Sequence, residues 1–209
     1  MPPEGPPDDA CLRALAADRS DGDTAFRTVF ERHVDAVYNC AFRRTASWSA
    51  AEDIAETAFL ELWRQRHRVT THGGSLRPWL LGVASNLSRR WWRDQARRSR
   101  AVQHLVRWEP AAAADTPEVV GDRVDDERRM ASVLAALRRL PPPQQDVMML
   151  SVFECLSHGE IAAALGLRVG TVKSRLSRAR ASLQLDLGTE AALRESPIEP
   201  PDAEQGGMR

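Results

Sequence analysis

The sequence predicts an all-α protein made of two small helical domains that a flexible linker joins. Apolar residues recur at steps of three and four along seven segments, and no segment shows the alternation of a β-strand. Between the third and the fourth of these segments, residues 109–127 are rich in acids and alanine and contain two prolines, a composition typical of a linker. A length of 209 residues with 43% hydrophobic residues suits two such domains.

The order of the segments divides the chain into five parts. Residues 1–22 and 188–209 are expected to be flexible tails, because both are rich in proline and acidic residues. The first helical domain is expected at 23–108 and the second at 130–187, with the linker at 109–129. Each domain is long enough to bury a small apolar core.

Three helices are predicted in the first domain. The first has an apolar pattern that starts at Thr24, and the second begins at Ser49, which has capping-box spacing to Glu52. A loop at 67–75 contains a Gly-Gly pair, and the third helix follows it with Pro78 in its first turn. The first domain is therefore expected to be a helical bundle.

The second domain is expected to contain a helix-turn-helix. Ser157 and Glu160 have capping-box spacing before a short apolar helix, and Gly166 stands where a helix C-cap belongs. A final helix begins near Thr171 and buries an apolar stripe that starts at Val172. A helix, a short turn and a basic helix in this order are typical of DNA-binding proteins.

The outer face of the final helix carries hydrogen-bond donors that suit DNA. Lysine and arginine donate to guanine, serine bonds to base edges, and flanking arginines bind phosphate. A solvated face on an ordinary three-helix bundle is the alternative, but five basic residues and no acid between 168 and 184 favour DNA. The candidate DNA-binding residues are Arg168, Thr171, Lys173, Ser174, Arg175, Ser177, Arg178 and Arg180.

Charge is distributed in blocks, although the net charge of the chain is zero. Residues 64–108 carry eleven arginines and one acid, a net charge of +10, and residues 168–184 carry +5. The remainder of the chain carries −15. Because basic blocks bind phosphate by releasing counterions, both blocks are candidate nucleic-acid surfaces.

The larger block places arginine beside tryptophan on the third helix. Trp91 continues the apolar stripe of that helix, whereas Trp92 falls beside the arginines and is either a core residue or an exposed ring. Arginines follow a single-stranded backbone while an exposed ring stacks on an unpaired base, which is worth about 1–3 kcal/mol per base. The candidate residues for this contact are Asn86, Arg89, Arg90, Trp92, Arg93 and Arg97.

Several classes of protein are excluded by what the sequence lacks. Acidic residues on the second helix have no Glu-x-x-His complement, the Gly-Gly pair has no Walker lysine, and the histidines show no metal-ligand spacing, so we expect neither an enzyme nor a cofactor. No stretch reaches the ~20 apolar residues of a membrane span, and no signal peptide is recognisable. Three widely spaced cysteines favour a reducing compartment. We expect a cytoplasmic protein without a small-molecule substrate.

Three strings of the sequence resemble the extracytoplasmic-function sigma factors of bacterial RNA polymerase. Residues 51–63, which begin Ala-Glu-Asp-Ile and contain Phe59 and Trp63, are similar to the region-2 helix of that family. Residues 76–87, Leu-Arg-Pro-Trp-Leu-Leu-Gly-Val-Ala-Ser-Asn-Leu, are similar to the segment before its −10 reader. Residues 140–180, with Gly-Thr-Val-Lys-Ser-Arg-Leu at 170–176, are similar to its region 4.

The resemblance implies a dissociable subunit that gives RNA polymerase its promoter specificity. Region 4 would dock on the polymerase flap and place residues 170–180 in the major groove at −35, while region 2 would bind the clamp and melt the −10 element. The loop at 67–75 would help to hold a flipped base, and the linker would thread towards the active cleft. Core RNA polymerase, promoter DNA and an anti-sigma factor are the implied partners. The implied polymerase contacts are Asp53, Glu56, Phe59, Leu60 and Trp63.

Two residues depart from the pattern of that family. Glu56 stands where glutamine is usual, and Cys155 stands where glycine is common before Leu156-Ser157. A stand-alone helix-turn-helix regulator, whose N-terminal module senses a signal or dimerises, is the alternative function. The acidic helix at 52–63 and the arginine–tryptophan helix at 86–100 favour the sigma factor, because a stand-alone regulator needs neither.

Overall fold

The computed structural model describes residues 5–17, 22–105 and 121–195, and within these ranges there are eight α-helices and no β-strand. The helices are α1 Asp8–Ala16, α2 Gly22–Thr45, α3 Trp48–Gln65, α4 Arg77–Leu105, α5 Gly121–Leu137, α6 Pro142–Val152, α7 His158–Leu165 and α8 Val169–Glu195. The first four pack into one bundle, and α6, α7 and α8 form a second one that α5 precedes. The prediction of an all-α protein with two small helical domains is confirmed.

The core of the first bundle lies where α2, α3 and α4 meet. Val37 from α2, Leu62 from α3 and Leu80 from α4 are fully buried or nearly so. Alanines on α3, such as Ala51 and Ala58, let the neighbouring helices approach closely. The apolar pattern that predicted these helices therefore points at a shared core. It leaves the charged side chains of α3 and of the described part of α4 outside that core, whereas Ser85 and Ser88 of α4 are buried.

Helix α1 lies inside the segment that was expected to be a flexible tail. Its residues Cys11 and Leu15 are buried against α2. Asp8 and Asp9 stand in its first turn, where negative charge interacts favourably with the helix dipole and stabilises the helix. This finding corrects the predicted tail at 1–22 for residues 8–16. The proline-rich composition concealed an amphipathic helix of nine residues.

Two further predicted boundaries differ from the structure. Helix α5 begins at Gly121, so residues 121–129 of the predicted linker are helical, and α8 runs to Glu195, past the predicted domain end at 187. Residues 106–120, which include most of the predicted linker, and residues 196–209 of the second predicted tail lie outside the described residues.

The helix caps agree with the sequence in the second domain and differ in the first. The hydroxyl of Ser157 accepts from the backbone N–H of Glu160 at 3.3 Å, and the backbone N–H of Ser157 donates to the Glu160 carboxylate at 2.8 Å, which is the predicted capping box. In the first domain Ser47 caps α3 by accepting from the N–H of Ala50, so Ser49 lies within the helix. The predicted cap was two residues late, because the apolar pattern starts after the first turn.

The connection between α6 and α7 shows why glycine suits the position that Cys155 occupies. Cys155 has a φ of +53°, in the left-handed region that glycine adopts without steric cost. The family's glycine at this position therefore matches the backbone, and this chain accepts a strained cysteine there. Leu156 next to it is buried and anchors the turn in the core of the second domain.

Candidate nucleic-acid interface

The helix-turn-helix consists of α7 and α8 with three residues between them. Gly166 ends α7 with a φ of +64°, as its position in the sequence predicted. Ile161 of α7 and Val172 and Leu176 of α8 are buried and form the seam between the two helices. Because these side chains point inwards, the polar residues between them on α8 must point outwards.

The first turns of α8 present the predicted polar side chains to solvent. The hydroxyl of Ser174 donates to the carbonyl of Thr171 at 3.0 Å, and Nε of Arg178 donates to the carbonyl of Ser174 at 3.2 Å. Nη2 of Arg178 also donates to the hydroxyl of Ser174 at 3.4 Å, and the guanidinium has five N–H donors, so these two contacts within the helix leave further donors for DNA. The exposed members of the predicted set are Arg168, Lys173, Ser174, Ser177, Arg178 and Arg180, and the half-buried ones are Thr171 and Arg175.

The predicted single-strand surface lies along α4, and the second domain covers one part of it. Arg89 forms an ion pair with Asp146 of α6, with 2.8 Å between Nη1 and Oδ2. Its guanidinium also donates to the side-chain oxygen of Asn86. Arg90 and Arg97 form long ion pairs with Asp94, at 3.8 and 3.9 Å, which are worth little on an exposed surface. The exposed members of the set are Asn86, Arg89, Arg90, Arg93 and Arg97.

The sequence left open whether Trp92 is a core residue or an exposed ring, and the structure shows an intermediate position. Its ring is half-buried, and its indole N–H donates to the carbonyl of Arg44 at 2.8 Å. The guanidinium of Arg138, the residue after α5, stands over the ring, 3.7 Å from its centre, and Trp91 meets it edge-on. The ring is thus at the surface of the first domain but under a side chain of the segment that leads into the second.

The acidic and apolar face of α3 is a separate surface. Leu60 is 54% exposed and Trp63 is 37% exposed, while the carboxylates of Asp53 and Glu56 face solvent. Phe59 is only 2% exposed, so its side chain belongs to the core and supports this surface from below. Four of the five residues in the predicted polymerase contact are therefore accessible.

Phe30 of α2 extends this surface and is absent from the predicted set. Its ring is 39% exposed and lies 4.8 Å from that of Phe59, centre to centre. The apolar period of α2 assigns Phe30 to the core, so no local pattern in the sequence indicates its exposure. We call Phe30, Leu60, Trp63, Asp53 and Glu56 the α3 face.

Asp8 of α1 connects the loop before α4 to the bundle. Its buried carboxylate accepts from the backbone N–H of Leu76 at 2.8 Å, lies 2.7 Å from Nε2 of His33, and pairs with Arg32. Burial opposes ionisation of Asp8, but the hydrogen bonds from His33, Leu76 and Arg32 outweigh it and hold the pKa of Asp8 far below its usual range. Asp9 accepts from the hydroxyl of Thr71 in the same loop.

Among the described residues, no group of three His, Cys, Asp or Glu side chains could hold a metal ion. Within the same ranges, no helix combines the length and the apolar composition that crossing a membrane requires. The features that stand out are therefore two polar helix faces, on α4 and α8, and the α3 face.

Comparisons with known proteins identify the family of both domains. The family model "Sigma-70 region 2" matches residues 29–98, and "Sigma-70, region 4" matches residues 130–183. The RNA polymerase sigma factor HrpL of Pseudomonas syringae pv. syringae is 32% identical over 185 residues, which are 87% of this chain and 90% of HrpL. The ECF RNA polymerase sigma factor SigE of Mycolicibacterium smegmatis is 31% identical over 154 residues, which are 73% of this chain and 58% of SigE.

One solved structure extends the comparison to three dimensions. The sigma factor RpoE of Bartonella quintana, in a complex with the anti-sigma factor NepR, is 25% identical with a TM-score of 0.51. The match covers 78% of this chain and 96% of that chain.

A helical region 2 with an arginine–tryptophan helix and a region 4 with a basic helix-turn-helix define a sigma factor of the sigma-70 family. The chain belongs to this family, within its extracytoplasmic-function group, as the three strings of the sequence implied. It is a promoter-recognising partner of RNA polymerase and not an enzyme, and the stand-alone regulator is not favoured.

Proposed function

We propose that this protein reads the −35 element with the start of α8 and the −10 element with α4, and that it melts the −10 element for transcription initiation. The observation that carries the proposal is the outward polar face of α8 above a buried seam. In a helix-turn-helix protein, that helix enters the major groove. We propose 23–108 as region 2 and 130–187 as region 4, with α1 packed on region 2 and α8 continuing beyond 187 to Glu195.

At −35, some of the predicted residues of α8 are proposed to contact bases and others to contact phosphates. Lys173 and Arg178 are exposed in the centre of the face, where they can donate to guanine O6 and N7. Arg168 and Arg180 lie at its two ends and suit phosphate. Truncating a base contact should therefore relax sequence preference, whereas truncating a flanking arginine should weaken binding to all sequences.

At −10, α4 offers charge and one aromatic ring. Arg90, Arg93 and Arg97 are exposed and can follow the phosphates of a strand. Trp92 can support an unstacked base once the guanidinium that covers it moves away. Extruding a base costs a few kcal/mol, which stacking and pocket contacts offset.

The α3 face is the proposed contact with the polymerase clamp. Leu60 and Trp63 supply exposed apolar area, and Asp53 and Glu56 supply negative charge around it. An apolar centre with a polar rim is the usual anatomy of a protein interface. Region 4 is proposed to dock on the polymerase flap.

The proposed place of action is the cytoplasm, where RNA polymerase transcribes. An anti-sigma factor is a proposed further partner, because the Bartonella relative is found in complex with one. Such a partner would compete with core polymerase for the same sigma factor.

In vitro transcription with core RNA polymerase on a library of genomic promoters tests the proposal. The wild-type protein should be retained by core and should initiate from a subset of promoters that share two motifs. Lys173→Ala should relax the preference at one or two −35 positions by about 1–3 kcal/mol per lost base contact. Arg129→Ala is the matched control, because it also removes one exposed positive charge, from α5.

If core neither retains the protein nor initiates with it, and the free protein binds duplex DNA specifically, the proposal is wrong. If Lys173→Ala and Arg129→Ala leave the same promoter preference, α8 is not the reader of −35.

A further inference from the structure

Asp146 of α6 reaches into the basic surface of the first domain. It is 4% exposed, and its two carboxylate oxygens bind two arginines, with Oδ1 3.0 Å from Nη1 of Arg44 and Oδ2 2.8 Å from Nη1 of Arg89. Arg89 belongs to the proposed −10 surface, and Arg44 lies at the end of α2. A buried carboxylate of the second domain is therefore held between two cations of the first.

A cavity of about 830 Å³ opens at this point between the domains. Its wall contains Asn86, Arg89, Trp92 and Arg93, which are four residues of the proposed −10 surface, beside Arg44. The arginines on the first-domain side of this cavity thus continue the surface on which the single strand is proposed to lie, opposite apolar residues such as Leu134 and Met149.

The guanidinium of Arg44 is not fully used by Asp146. Arg44 is 7% exposed, and its Nε has no hydrogen-bond partner among the residues that the structure describes. A guanidinium binds carboxylate and phosphate oxygens with the same planar set of donors. The pair of arginines is therefore an anion site, and one of its buried donors is not satisfied by the carboxylate that occupies it.

The packing that inserts Asp146 is close and specific. Glu154 is buried between Arg43 and Arg77, which adds a second ionic contact across the same interface. Helices α4 and α7 approach so closely that a Cβ on Gly82 would lie 2.1 Å from the carbonyl oxygen of Ala164. Any side chain larger than hydrogen at Gly82 would force the two domains apart.

This closed arrangement cannot serve both promoter elements. The −35 and −10 elements are about 25 base pairs apart, which is about 85 Å of B-DNA. In this structure α4 of the first domain packs directly against α7, which supports the reading helix α8. The domains must separate when both elements are bound, and separation withdraws Asp146 from the two arginines.

We propose that Arg44 and Arg89 bind phosphates of the single promoter strand at −10, and that the carboxylate of Asp146 occupies this site while the domains are closed. The inference rests on the proposed function, because it takes the strand to lie along α4. It adds Arg44, which lies on α2 outside both basic blocks, to the binding surface. Closure and strand binding then compete for one anion site.

The distance between the domains can be followed by energy transfer in the full-length protein. Glu52→Cys on α3 and Gln184→Cys on α8 place dyes at exposed positions of the two domains. Cys155→Ser removes the exposed native thiol, whereas Cys11 and Cys40 are buried. The probe ligand is a single-stranded oligodeoxynucleotide of mixed sequence at low salt.

Two measurements need no change at the anion site. Adding the oligonucleotide to the labelled protein should lower the energy transfer, because the strand displaces Asp146 and coupling between two binding events is reciprocal. Gly82→Ala should open the domains without altering any charge, and it should therefore bind the oligonucleotide more tightly. Ala131→Ser is the control, because it enlarges an exposed residue of α5 without altering any charge.

Two charge variants test the site directly. Asp146→Asn should lower the Kd for the oligonucleotide about tenfold, a change at the low end of measured couplings between close charges. Asp125→Asn changes the net charge equally on exposed α5 and should have a much smaller effect. Arg44→Gln should weaken binding of the oligonucleotide in the Gly82→Ala background, where closure no longer competes.

Three results would overturn the inference: an oligonucleotide that binds without changing the energy transfer, equal affinities for Asp146→Asn and Asp125→Asn, or an Arg44→Gln variant that binds as tightly as its Gly82→Ala parent. If Asp146→Asn does not fold, the wild-type titration and Gly82→Ala decide. Promoter-dependent initiation by the wild-type protein tests the proposed function separately. Initiation together with an unchanged interdomain distance would refute only this inference.

Discussion

Replacing Asp8 by asparagine tests the least expected contact of the first domain, between α1 and the loop before α4. The carboxylate of Asp8 receives Arg32, Nε2 of His33 at 2.7 Å and the N–H of Leu76 at 2.8 Å. An asparagine of the same size keeps one oxygen acceptor and loses the charge. The hydroxyl of Ser75 also donates to this carboxylate, at 3.4 Å, and the NH₂ group of asparagine would face the donors that the lost oxygen served.

The expected loss of stability in Asp8→Asn follows from the burial of Arg32 and His33. The side chains of Arg32 and His33 are 12% and 6% exposed, so water can replace the lost oxygen only in part. Breaking a buried ion pair from one side costs about 3–5 kcal/mol. Arg32 also donates to the carbonyl of Pro6 at 2.9 Å, and this hydrogen bond remains in the variant, so the cost should lie at the lower end of that range. We expect a loss of about 3 kcal/mol in the free energy of unfolding.

The effect should depend on pH with a defined sign. Burial alone would raise the pKa of Asp8, but hydrogen bonds from His33, Leu76 and Arg32 lower it below the value of about 3.9 in an unfolded chain. A group whose pKa is lowered by folding stabilises the protein fully above its unfolded pKa, and this contribution is lost as the pH falls towards the folded pKa. The difference between wild type and Asp8→Asn should therefore shrink below pH of about 4.

Urea unfolding followed by circular dichroism at pH 7, and at two acidic values, measures this difference. Asp9→Asn is the control, because it removes the same charge from the same helix turn, where the carboxylate accepts from the hydroxyl of Thr71 and pairs with neither Arg32 nor His33 among the described contacts. Equal stabilities for the two variants, or a difference that persists unchanged in acid, would refute the role of Asp8 as the buried anchor of α1.

Three other variants have defined outcomes. Ser157→Ala should lower the free energy of unfolding by about 1 kcal/mol in thermal melts, because it removes the cap of α7, and no loss would contradict the capping box. Cys155→Gly should raise stability by about 1 kcal/mol, since a left-handed φ of +53° strains any residue with a Cβ; a lower melting temperature would contradict this. Trp92→Ala should slow promoter opening in permanganate footprinting more than it weakens the closed complex; an equal loss in both would assign the ring to packing alone.

Local signals explain why the second domain was predicted so closely. The capping box at Ser157 and the left-handed Gly166 each depend on a few adjacent residues. The buried seam of the helix-turn-helix follows from the helical period, so Lys173 and Arg178 had to face outwards. In these places the structure agrees with the sequence because no distant residue takes part in the decision.

Helix α1 shows where local signals fail. Proline and acids made its composition resemble that of a tail, yet Asp8 is neutralised by residues 24 and 25 positions further along the chain. The prediction for Phe30 was wrong in the opposite direction. The helical period of α2 predicted that this residue is buried, but its ring is exposed beside Phe59. Both depend on which helices lie next to each other, and periodicity within one helix does not contain that information.

The sequence by itself determined the all-α class, the helix-turn-helix, the two basic helices and the family, because each is written in short-range periodicity or in contiguous strings. Only the tertiary structure decided which of these charges are free. Asp146 lies 57 residues from Arg89 and 102 from Arg44, and the sequence shows no relation among them. Folding brings a carboxylate to two cations through the close approach at Gly82, so the availability of part of the −10 surface depends on the packing of the two domains.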